Sequence, residues 1–570
     1  MQSSQKNMLK IILCNLALRH KHDSFPPVAC LSLCNVLISA GYPSVFYDID
    51  AKRPSEKELF DYFEKAQPDI VGISAVVSTG YAYTKRLADI IKKASPRTQI
   101  ILGGNLAAAY KVILQKCQID ICVIGEGEKV LLNLVRHYEK YFDFNPTNAE
   151  LDKIKGIAFI DNSSVCRFTG SEKLISSEEI QMPDYELLAR FSNINQYILD
   201  PMASYGFIHD YRSKEKHRLK KKVATIFTSK GCINRCTFCH RWIKGYRVIS
   251  LEKVLTNMKY LMDKYNVGFF SISDECFGEN EKWLESFIEA IRPLDILFQV
   301  GGARVSIIKK NPLIIKRLKD VGMTAIDFGM ESGSDKTLTI MEKNATRDEN
   351  LLAARVCAEA DMLTTIQLVI GMPGENDQTI NETIKFIKKA TGELPYPPIL
   401  SINYLQALPG TPSYEYLRIH GFLGVSIDDE EKYLLKISNV NAVEFKQYVN
   451  VSEEPLSKVK IWQRKIQNEA ITYWLKKHAW QRPVEYGSQN FKYTHISFIS
   501  QMRLFVKNKL IYYRIIDLLG DTFWKTFQIM NLYLLYGLKK AILVVFGFIK
   551  EDDRSSFRCQ ENSLRKIVQM

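Results

Sequence analysis

Three cysteines lie close together in the segment Cys232-Ile-Asn-Arg-Cys236-Thr-Phe-Cys239. Thiolates are good ligands for iron, and three so near each other can bind one face of an iron–sulfur cube. A 4Fe–4S cluster normally takes four cysteines, and we expect no fourth cysteine nearby because the next one in the chain is Cys276. Three protein ligands leave one iron open to an external ligand, as chemistry at the metal requires. A zinc site completed by His240 is the alternative, although structural zinc loops usually pair their ligands in two separate halves.

The elements that must position these cysteines form an alternating series from 223 to 411. Apolar runs predict six strands, at 223–229, 268–273, 297–301, 325–329, 365–371 and 400–406. Helical patterns separate them, at 251–265, 281–291, 312–321, 348–361 and 379–391. The order predicts a partial (β/α)6 barrel, with chemistry on the loops after the strands. The cysteines and the charged residues Asp274, Arg304 and Glu331 all follow predicted strands.

The segment from 223 to 414 resembles the radical S-adenosylmethionine (SAM) enzymes. The C-x3-C-x2-C spacing with an aromatic residue, Phe238, before the last cysteine is that family's hallmark. Four further motifs match in the family's order: Ser271-Ile-Ser-Asp-Glu-Cys-Phe277, Asp327-Phe-Gly-Met-Glu-Ser-Gly333, Ile370-Gly-Met-Pro-Gly-Glu375 and Leu408-Pro-Gly-Thr411.

The resemblance implies that the amino and carboxylate groups of SAM chelate the open iron. An electron from the cluster then breaks a carbon–sulfur bond, which gives methionine and a 5′-deoxyadenosyl radical. The cofactor-binding residues carried over from the motifs are Phe238, Asp274, Arg304, Glu331, Ser332, Met372 and Pro373. Arg304 would pair with the SAM carboxylate, and Glu331 would accept hydrogen bonds from its amino group or ribose. An ion pair between Arg304 and Glu331 inside the barrel is the structural alternative.

The segment 1–150 also alternates strands and helices, which predicts a doubly wound, Rossmann-like α/β domain. Strands are predicted at 10–16, 70–74, 100–102 and 121–124, and helices at 28–40, 84–93, 107–116 and 128–141. Glycines follow the later strands, at Gly103-Gly104 and at Gly125-Glu126-Gly127. Glycine in such turns either allows a bulky ligand to approach the backbone or only makes the turn tight.

This order of segments resembles the radical SAM enzymes that carry a cobalamin-binding domain. The resemblance implies cobalamin as a cofactor, with Ser74, Gly103, Gly104 and Glu126 beside it. Other cobalamin domains supply a cobalt-ligating histidine from an Asp-x-His-x-x-Gly motif, which this sequence lacks. His20 and His22 do not have that spacing, so we interpret both as loop residues and expect cobalt to receive no histidine from the protein.

Composition and charge limit the partners and the cellular compartment that we expect for this protein. The sequence carries 77 Lys+Arg against 63 Asp+Glu, a formal charge of +14, and part of the excess lies in the run 214–222. No aromatic residues interrupt that run, so we interpret it as a solvated loop and expect no nucleic-acid partner. Twelve cysteines without a recognisable signal peptide or membrane span favour the cytoplasm.

Two regions remain. Residues 151–222 are predicted to form a connector with a hairpin around Asp161-Asn162-Ser163 and the basic loop. Residues 412–570 are mainly helical and aromatic-rich, and we expect them to cap the barrel over the substrate. Trp462, Trp474, Trp480 and Trp524 are interpreted as core residues. Lysines beside apolar faces at 524–549 also permit contact with a membrane surface.

The sequence therefore predicts an enzyme, and a cobalamin-dependent methyltransferase acting on an unactivated carbon or phosphorus centre is the leading interpretation. Cyclisation, oxidation or rearrangement without methyl transfer is the second, and a non-catalytic iron–sulfur redox protein is the third. A small molecule, lipid-like or a natural product, is the expected substrate. A flavodoxin or ferredoxin is the expected electron donor.

Overall fold

The computed structural model describes residues 9–18, 22, 24–141, 147–201, 204–240 and 245–478. The described parts of 9–201 and 209–474 belong to one compact unit. Residues 204–208 and 475–478 are the described parts of a second unit. The predictions for His20, for Trp480 and Trp524, and for membrane contact at 524–549 lie outside the described residues.

The first sheet has seven strands in the order β2-β1-β3-β4-β5-β6-β7. The strands are β1 (Ile11–Asn15), β2 (Ser44–Tyr47), β3 (Ile70–Ser74), β4 (Gln99–Gly103), β5 (Ile121–Val123), β6 (Ile157–Ile160) and β7 (Cys166–Phe168). The helices are α1 (Val28–Ser39), α2 (Ile49–Lys52), α3 (Glu56–Ala66), α4 (Tyr81–Ala94), α5 (Tyr110–Lys116), α6 (Gly127–Tyr141), α7 (Asn148–Leu151), α8 (Tyr185–Phe191) and α9 (Tyr205–His209). Strands β1 to β5 are parallel, so the expected doubly wound α/β domain is confirmed.

The chain changes direction across the sheet at β1, which lies between β2 and β3. In an open α/β sheet, a crevice for ligands forms at the carboxyl ends of the strands beside such a point. The last residues of three neighbouring strands, Asn15, Ser74 and Gly103, are in register along this edge.

The hairpin expected in the connector forms, and its strands β6 and β7 extend the first sheet by antiparallel pairing to β5. The expectation that the basic run 214–222 is a solvated loop is only partly correct, because its arginine, Arg218, is buried. Its guanidinium donates hydrogen bonds to the carbonyl of Asp295 at 2.7 Å and to the carboxylate of Glu215 at 2.8 Å.

The second sheet has six parallel strands in the order β15-β14-β13-β12-β11-β8. The strands are β8 (Lys222–Ile226), β11 (Val267–Phe277), β12 (Leu297–Ala303), β13 (Met323–Glu331), β14 (Leu363–Ile370) and β15 (Leu400–Tyr404), while β9 (Ser229–Lys230) and β10 (Arg247–Val248) form a separate small ladder. The helices are α10 (Leu251–Tyr265), α11 (Glu281–Ile291), α12 (Ser306–Lys310), α13 (Ile314–Asp320), α14 (Asp335–Ile340), α15 (Arg347–Glu359) and α16 (Asp377–Glu393). The predicted partial barrel is confirmed.

Three barrel strands continue beyond the carboxyl ends that their apolar patterns predict. β11 continues to Phe277, β12 to Ala303 and β13 to Glu331. Each extension therefore lies at the carboxyl end of its strand, where α/β barrels hold their chemistry.

The described C-terminal part is helical, with α17 (Pro412–Ile419), α18 (Ile427–Ile437) and α19 (Leu456–His478). Trp462 and Trp474 are buried, as expected of core residues. α18 contacts the first domain, since Glu431 accepts hydrogen bonds from Tyr81 at 2.7 Å and Lys85 at 2.5 Å. None of the helices among the described residues combines the length and the apolar character that crossing a bilayer requires.

Candidate active site

The three cysteines lie in a loop that is closed at its base. β9 and β10 pair antiparallel on either side of the loop, with Lys230 opposite Arg247. Gly231 has φ +83°, and a Cβ on it would lie 2.3 Å from the carbonyl oxygen of Gly245. Glycine is required at 231 because both the left-handed backbone and this close approach exclude a side chain.

The loop presents its thiols at different depths. Cys236 is buried, Cys232 is half-buried and Cys239 is exposed. Asn234 donates hydrogen bonds to two of these sulfurs. Its backbone amide donates to the Cys232 sulfur at 3.5 Å, and its side-chain amide donates to the Cys236 sulfur at 3.9 Å. Three thiol donors in one loop fit an iron–sulfur cluster by their chemistry.

The described residues around the loop do not form a site for a single metal ion. Within the part of the chain that the structure describes, no three or more His, Cys, Asp or Glu side chains converge as ligands of one metal ion, and this includes His240. Burial lowers the pKa of His240 to about 4.

The outer part of the loop docks onto the barrel at two places. The Asn234 side chain donates to the carbonyl of Lys343 at 2.9 Å, and the Thr237 amide donates to that of Met341 at 2.9 Å. Ser413 donates both its amide and its hydroxyl to the carbonyl of Thr237, each at 2.9 Å. The Leu408–Thr411 motif therefore acts structurally, because Thr411 caps α17 and thereby fixes Ser413.

Cys276 corrects the expectation that no fourth cysteine lies near the site. The carboxyl-terminal extension of β11 buries it completely. Its interaction with Cys232 is the largest of the effects that lower the pKa of Cys232, against the effect of burial. The sequence could not show this contact, which joins the ends of two neighbouring barrel strands.

Asp274 is buried and turned toward the start of the cysteine loop. Its carboxylate accepts the Thr228 amide at 2.8 Å, the Thr228 hydroxyl, and the Ser229 hydroxyl at 2.7 Å. Burial raises its pKa, against the effect of these hydrogen bonds. The predicted cofactor-binding residue thus holds the segment that leads into the loop.

Arg304 follows β12 and is buried beside the loop. It donates to the Lys343 carbonyl at 2.7 Å, and its Nε, 4.0 Å from a carboxylate oxygen of Glu279, has no hydrogen-bond partner. Glu279 itself is held by Lys310 at 2.8 Å. A buried guanidinium with an unused donor fits the predicted contact with the SAM carboxylate.

Glu331 ends β13 with a left-handed backbone, φ +61°. Its carboxylate pairs with Lys343 at 2.9 Å, and both side chains are about nine-tenths buried. The alternative ion pair between Arg304 and Glu331 is therefore wrong, because Lys343 is the partner of Glu331. Lys343 lies in the segment between α14 and α15, outside the motifs, and no local pattern predicted its role.

Ser332 is buried and its hydroxyl faces α16, at 3.1 Å from the Thr383 hydroxyl. The hydroxyl also accepts the Ser334 amide at 3.1 Å. Next to it, a Cβ on Gly333 would lie 2.3 Å from Phe386. Part of the Glu-Ser-Gly motif therefore packs the strand end onto a helix.

Met372 and Pro373 lie in a turn after β14 that is fastened by a buried carboxylate. Glu375 accepts the backbone amides of Gly371 at 2.5 Å and Met372 at 3.1 Å. Burial raises the Glu375 pKa to about 7. Met372 is buried, and Phe238 is half-buried against the hydrophobic core.

The carboxyl edge of the first sheet brings Ser74, Gly103 and Gly104 together. Ser74 is paired with Gly103, and a Cβ on Gly104 would lie 2.4 Å from the carbonyl oxygen of Ala75. A Cβ on Gly103 would meet nothing within 4 Å, and the same holds for Gly125. The edge therefore leaves open space where backbone is exposed, and this fits a large ligand such as cobalamin.

Glu126 connects this edge to the cysteine loop. Its carboxylate accepts two hydrogen bonds from Arg247, at 3.0 and 2.7 Å, and lies 3.2 Å from the Lys230 ammonium. Burial opposes its ionisation, but these cations outweigh burial and lower its pKa. Lys230 and Arg247 are the two ends of the loop base, so the predicted cobalamin contact holds that base.

His22 lies outside helices and strands, as predicted. Its Nδ1 is 2.8 Å from a carboxylate oxygen of Asp50, and its ring lies edge-on to Tyr197.

Comparisons with known proteins identify two domains. Residues 226–387 match the radical SAM superfamily, and residues 18–135 match the B12 binding domain. A radical SAM domain implies a 4Fe–4S cluster and SAM, and a B12 binding domain implies cobalamin.

The relatives include proteins named as a cyclase and as methyltransferases. The chain is 28% identical over 418 residues to the anaerobic magnesium-protoporphyrin IX monomethyl ester cyclase of Cereibacter sphaeroides, covering 72% of this chain and 62% of that protein. It is 27% identical over 372 residues to an uncharacterised methyltransferase of Pyrococcus horikoshii, covering 63% of this chain and 71% of that protein. It is 22% identical over 347 residues to the cytidylyl-2-hydroxyethylphosphonate methyltransferase of Streptomyces wedmorensis, covering 58% and 63%. The match thus spans less than two thirds of the first of these relatives.

Solved structures share the fold. The cobalamin-dependent SAM radical enzyme OxsB, with aqua-cobalamin and SAM bound, has a TM-score of 0.59 at 16% identity, covering 99% of this chain and 84% of that chain. The radical SAM methyltransferase TsrM of Kitasatospora setae, with cobalamin and a [4Fe-4S] cluster bound, has a TM-score of 0.55 at 18% identity, covering 73% and 76%. The chain therefore carries a B12 binding domain followed by a radical SAM domain, in the order that the sequence predicts.

Proposed function

We propose that the chain is a cobalamin-dependent radical SAM methyltransferase that methylates an unactivated carbon or phosphorus centre of a small molecule. The observation that carries the proposal is the contact of Glu126 with Lys230 and Arg247. It fastens the open carboxyl edge of the first sheet to the base of the cysteine loop. A methyl carrier and a radical source can cooperate only when they are held near each other.

The cofactors would supply the reactive groups and the chain would position them. Cys232, Cys236 and Cys239 would hold a 4Fe–4S cluster, which would supply the electron for the reductive cleavage of SAM. The open edge of the first sheet would hold cobalamin, which would supply the methyl-carrier chemistry. Arg304 would orient the SAM carboxylate through its unused Nε. Met372 and Phe238 would bound the adenine.

Glu331 would contribute a fixed negative charge to SAM binding. Its carboxylate is buried at the carboxyl end of β13, and Lys343 balances its charge in the absence of ligand. A carboxylate held by one ammonium still has lone pairs for ribose hydroxyls or an amino group. The pair therefore holds the Glu331 carboxylate in place.

Radical cyclisation is the second candidate function. It is favoured by the identity to the Cereibacter sphaeroides cyclase, which acts on magnesium-protoporphyrin IX monomethyl ester according to its name. Under this reading the cobalamin domain would serve a reaction without methyl transfer.

The proposal includes the setting of the reaction. A natural product or a lipid-like small molecule would be the substrate, a flavodoxin or ferredoxin would supply electrons, and the reaction would take place in the cytoplasm. A lipid-like substrate would agree with membrane-surface contact by residues 524–549.

The products derived from SAM distinguish the two functions. The chain is reconstituted anaerobically with iron, sulfide and hydroxocobalamin, reduced with dithionite and incubated with SAM. Methyl transfer to cobalt leaves S-adenosylhomocysteine, whereas radical formation leaves 5′-deoxyadenosine and methionine. We expect both sets of products, measured by mass spectrometry.

Cys236→Ala is the control for the cluster and should abolish 5′-deoxyadenosine. If S-adenosylhomocysteine never forms while 5′-deoxyadenosine does, methyl transfer through cobalt is wrong and cyclisation becomes the better proposal.

A further inference from the structure

The two faces of the barrel sheet differ in chemistry. Along each strand, alternate residues point to opposite faces. One set is apolar and packs into the core beneath the barrel helices: Ala224, Ile226, Phe270, Ile272, Phe298, Val300, Ile326, Phe328, Ile366, Leu368, Ile402 and Tyr404. The other set, which faces the inside of the barrel, is polar and half-buried: Thr225, Ser271, Ser273, Gln299, Asp327, Thr365, Gln367, Ser401 and Asn403. Closed α/β barrels usually fill their interior with Val, Ile and Leu, so this inner face is suited to hydrogen bonding instead of packing.

The polar set lies between an apolar floor and the predicted SAM contacts. Below Asp327 on β13, Ala325 belongs to a small apolar cluster. Above Asp327, a Cβ on Gly329 would lie 2.5 Å from the Glu331 carboxylate and 3.1 Å from the Lys343 ammonium, so that pair lies directly over Gly329. Asp327 precedes Glu331 by four residues on the same strand, or about 13 Å. Asp327 is therefore too deep in the barrel to bind the same functional group as Glu331.

Asp327 is the one charged member of this polar set. Burial raises its pKa, and no cation of the described chain offsets that effect. On the neighbouring strand β12, Gly301 follows the paired residue Val300, and a Cβ on Gly301 would meet only a carbonyl oxygen at 3.8 Å. Space therefore remains beside the carboxylate. Because an unpaired charge in a desolvated position is costly, a ligand cation at this place would be stabilised.

Neutral hydrogen-bonding groups line the neighbouring strands. Within the described residues, the side chains of Gln367, Ser401 and Asn403 form no hydrogen bond with a protein group. Gln367 on β14 is paired with Ser401 on β15, so their side chains lie on the same face. Amides and hydroxyls both donate and accept, as hydroxyl groups of a ligand require. An alkyl chain would leave these groups without partners, which costs free energy.

We propose that the inner face of the barrel binds a polyhydroxylated amine, with its ammonium paired to Asp327 and its hydroxyls bonded to the amide and hydroxyl side chains of β14 and β15. This substrate class rests on the proposed function, which requires a substrate beside SAM, and it narrows that substrate to a hydrophilic cation. Binding changes no covalent bond.

The test is isothermal titration calorimetry of the full chain, reconstituted with its cluster and hydroxocobalamin and saturated with SAM without a reductant. The probes are three compounds with six carbons in a chain: glucamine, sorbitol, which has a hydroxyl in place of the ammonium, and hexylamine, which has no hydroxyls. We expect the wild type to bind glucamine about tenfold more tightly than either of the others.

Asp327→Asn keeps the shape of the side chain and should abolish the preference for glucamine over sorbitol. Thr365→Val removes a hydroxyl paired in register with Asp327, and it should weaken both polyols alike while preserving that preference. Asp320→Asn is the matched control, because Asp320 is an exposed acid at the end of α13, and it should bind all three probes like the wild type.

Four results would overturn the proposal. These are no binding of glucamine to the wild type, an unchanged preference in Asp327→Asn, and tighter binding of hexylamine than of glucamine, which would favour a lipid-like substrate. The fourth is weaker binding of SAM itself to Asp327→Asn, since the SAM sulfonium is also a cation and Asp327 would then serve the cofactor. None of these measurements requires S-adenosylhomocysteine to form, so failure of this substrate class and failure of methyl transfer are distinguishable.

Discussion

Glu375 is a buried acid whose function is visible only in its contacts. It fastens the Gly371–Met372 turn through two backbone amides, in a position that water does not reach. A carboxyl group can accept these bonds whether or not it is ionised, but burial favours its protonated form. Its titration therefore affects the stability of the fold.

Stability should depend on pH through this residue. Burial raises the Glu375 pKa from 4.5 to about 7, so its favourable contribution is complete below pH 4.5 and is lost as the pH rises through 7. The full effect is on the order of 3 kcal/mol. Glu375→Gln keeps an acceptor but cannot ionise, so it should resist urea better than the wild type at pH 8 and equally well near pH 4.5.

Glu359→Gln is the matched control, because Glu359 is exposed on the barrel surface. Its unfolding midpoints should follow those of the wild type at every pH. If Glu375→Gln also follows the wild type, the titration of Glu375 does not contribute to stability.

At the scale of elements, the connection between the first sheet and the cysteine loop is the contact most open to test. The Glu126 carboxylate is 3% exposed and the Arg247 side chain 13%, so their pair is largely shielded from solvent. Removing one partner of a buried pair costs about 3 kcal/mol or more because the other charge is left uncompensated.

Glu126→Gln should therefore loosen the base of the loop. We expect hydrogen exchange at residues 229–231 and 245–248 to become at least tenfold faster, which corresponds to about 1.4 kcal/mol. Glu179→Gln is the control, since its pair with Lys129 is exposed at 3.2 Å and such pairs contribute little. Equal exchange in Glu126→Gln and the wild type would show that the loop base holds without this contact.

Elements with a long apolar or amphipathic pattern could be predicted from the sequence. α10 and α11 have the predicted bounds, because each combines a polar N-cap with a clear helical period. The helix α3 was missed although Ser55 and Glu58 form a capping box at its start, and the four-residue strand β2 was missed as well. A strand so short has too few residues to show a period, and its place at the edge of the sheet depends on the rest of the fold.

The candidate site could be predicted only in part. Cysteine spacing and motif order predicted the cluster ligands, because these are local features of the sequence. The partners Lys343 and Cys276 could not be found this way, since each contact joins segments that only the barrel brings together. The same reason explains why Asp274 and Ser332 were expected to bind a cofactor, while their hydrogen bonds go to neighbouring protein groups.

For the whole molecule, the open edge of the first sheet predicts that cobalamin stabilises the fold. A ligand that binds only the native state adds about 2.7 kcal/mol at a hundred times its Kd. Gly103→Val should leave the unfolding temperature of the cofactor-free chain unchanged, because a Cβ there meets nothing within 4 Å. It should nevertheless remove the rise in unfolding temperature on adding hydroxocobalamin, by filling the space the cofactor needs.

Gly104→Val is the contrasting variant. A Cβ there would lie 2.4 Å from the Ala75 carbonyl oxygen, so this variant should be less stable without any cofactor. Retention of cobalamin by Gly103→Val, measured by absorption after gel filtration, would contradict the assignment of this edge as the cofactor's cradle.

The anchors of the cysteine loop also constrain the order of events during synthesis. Arg247 is bound by a residue 121 positions away, Asn234 by one 109 positions away, and Thr237 by one 176 positions away. Contacts between such distant segments form late in folding, because long loops must close first. The last anchor, Ser413, leaves the ribosome well after the cysteines. The cysteine loop therefore has all of its contacts only after the barrel is complete, and we expect cluster insertion to follow synthesis of the barrel.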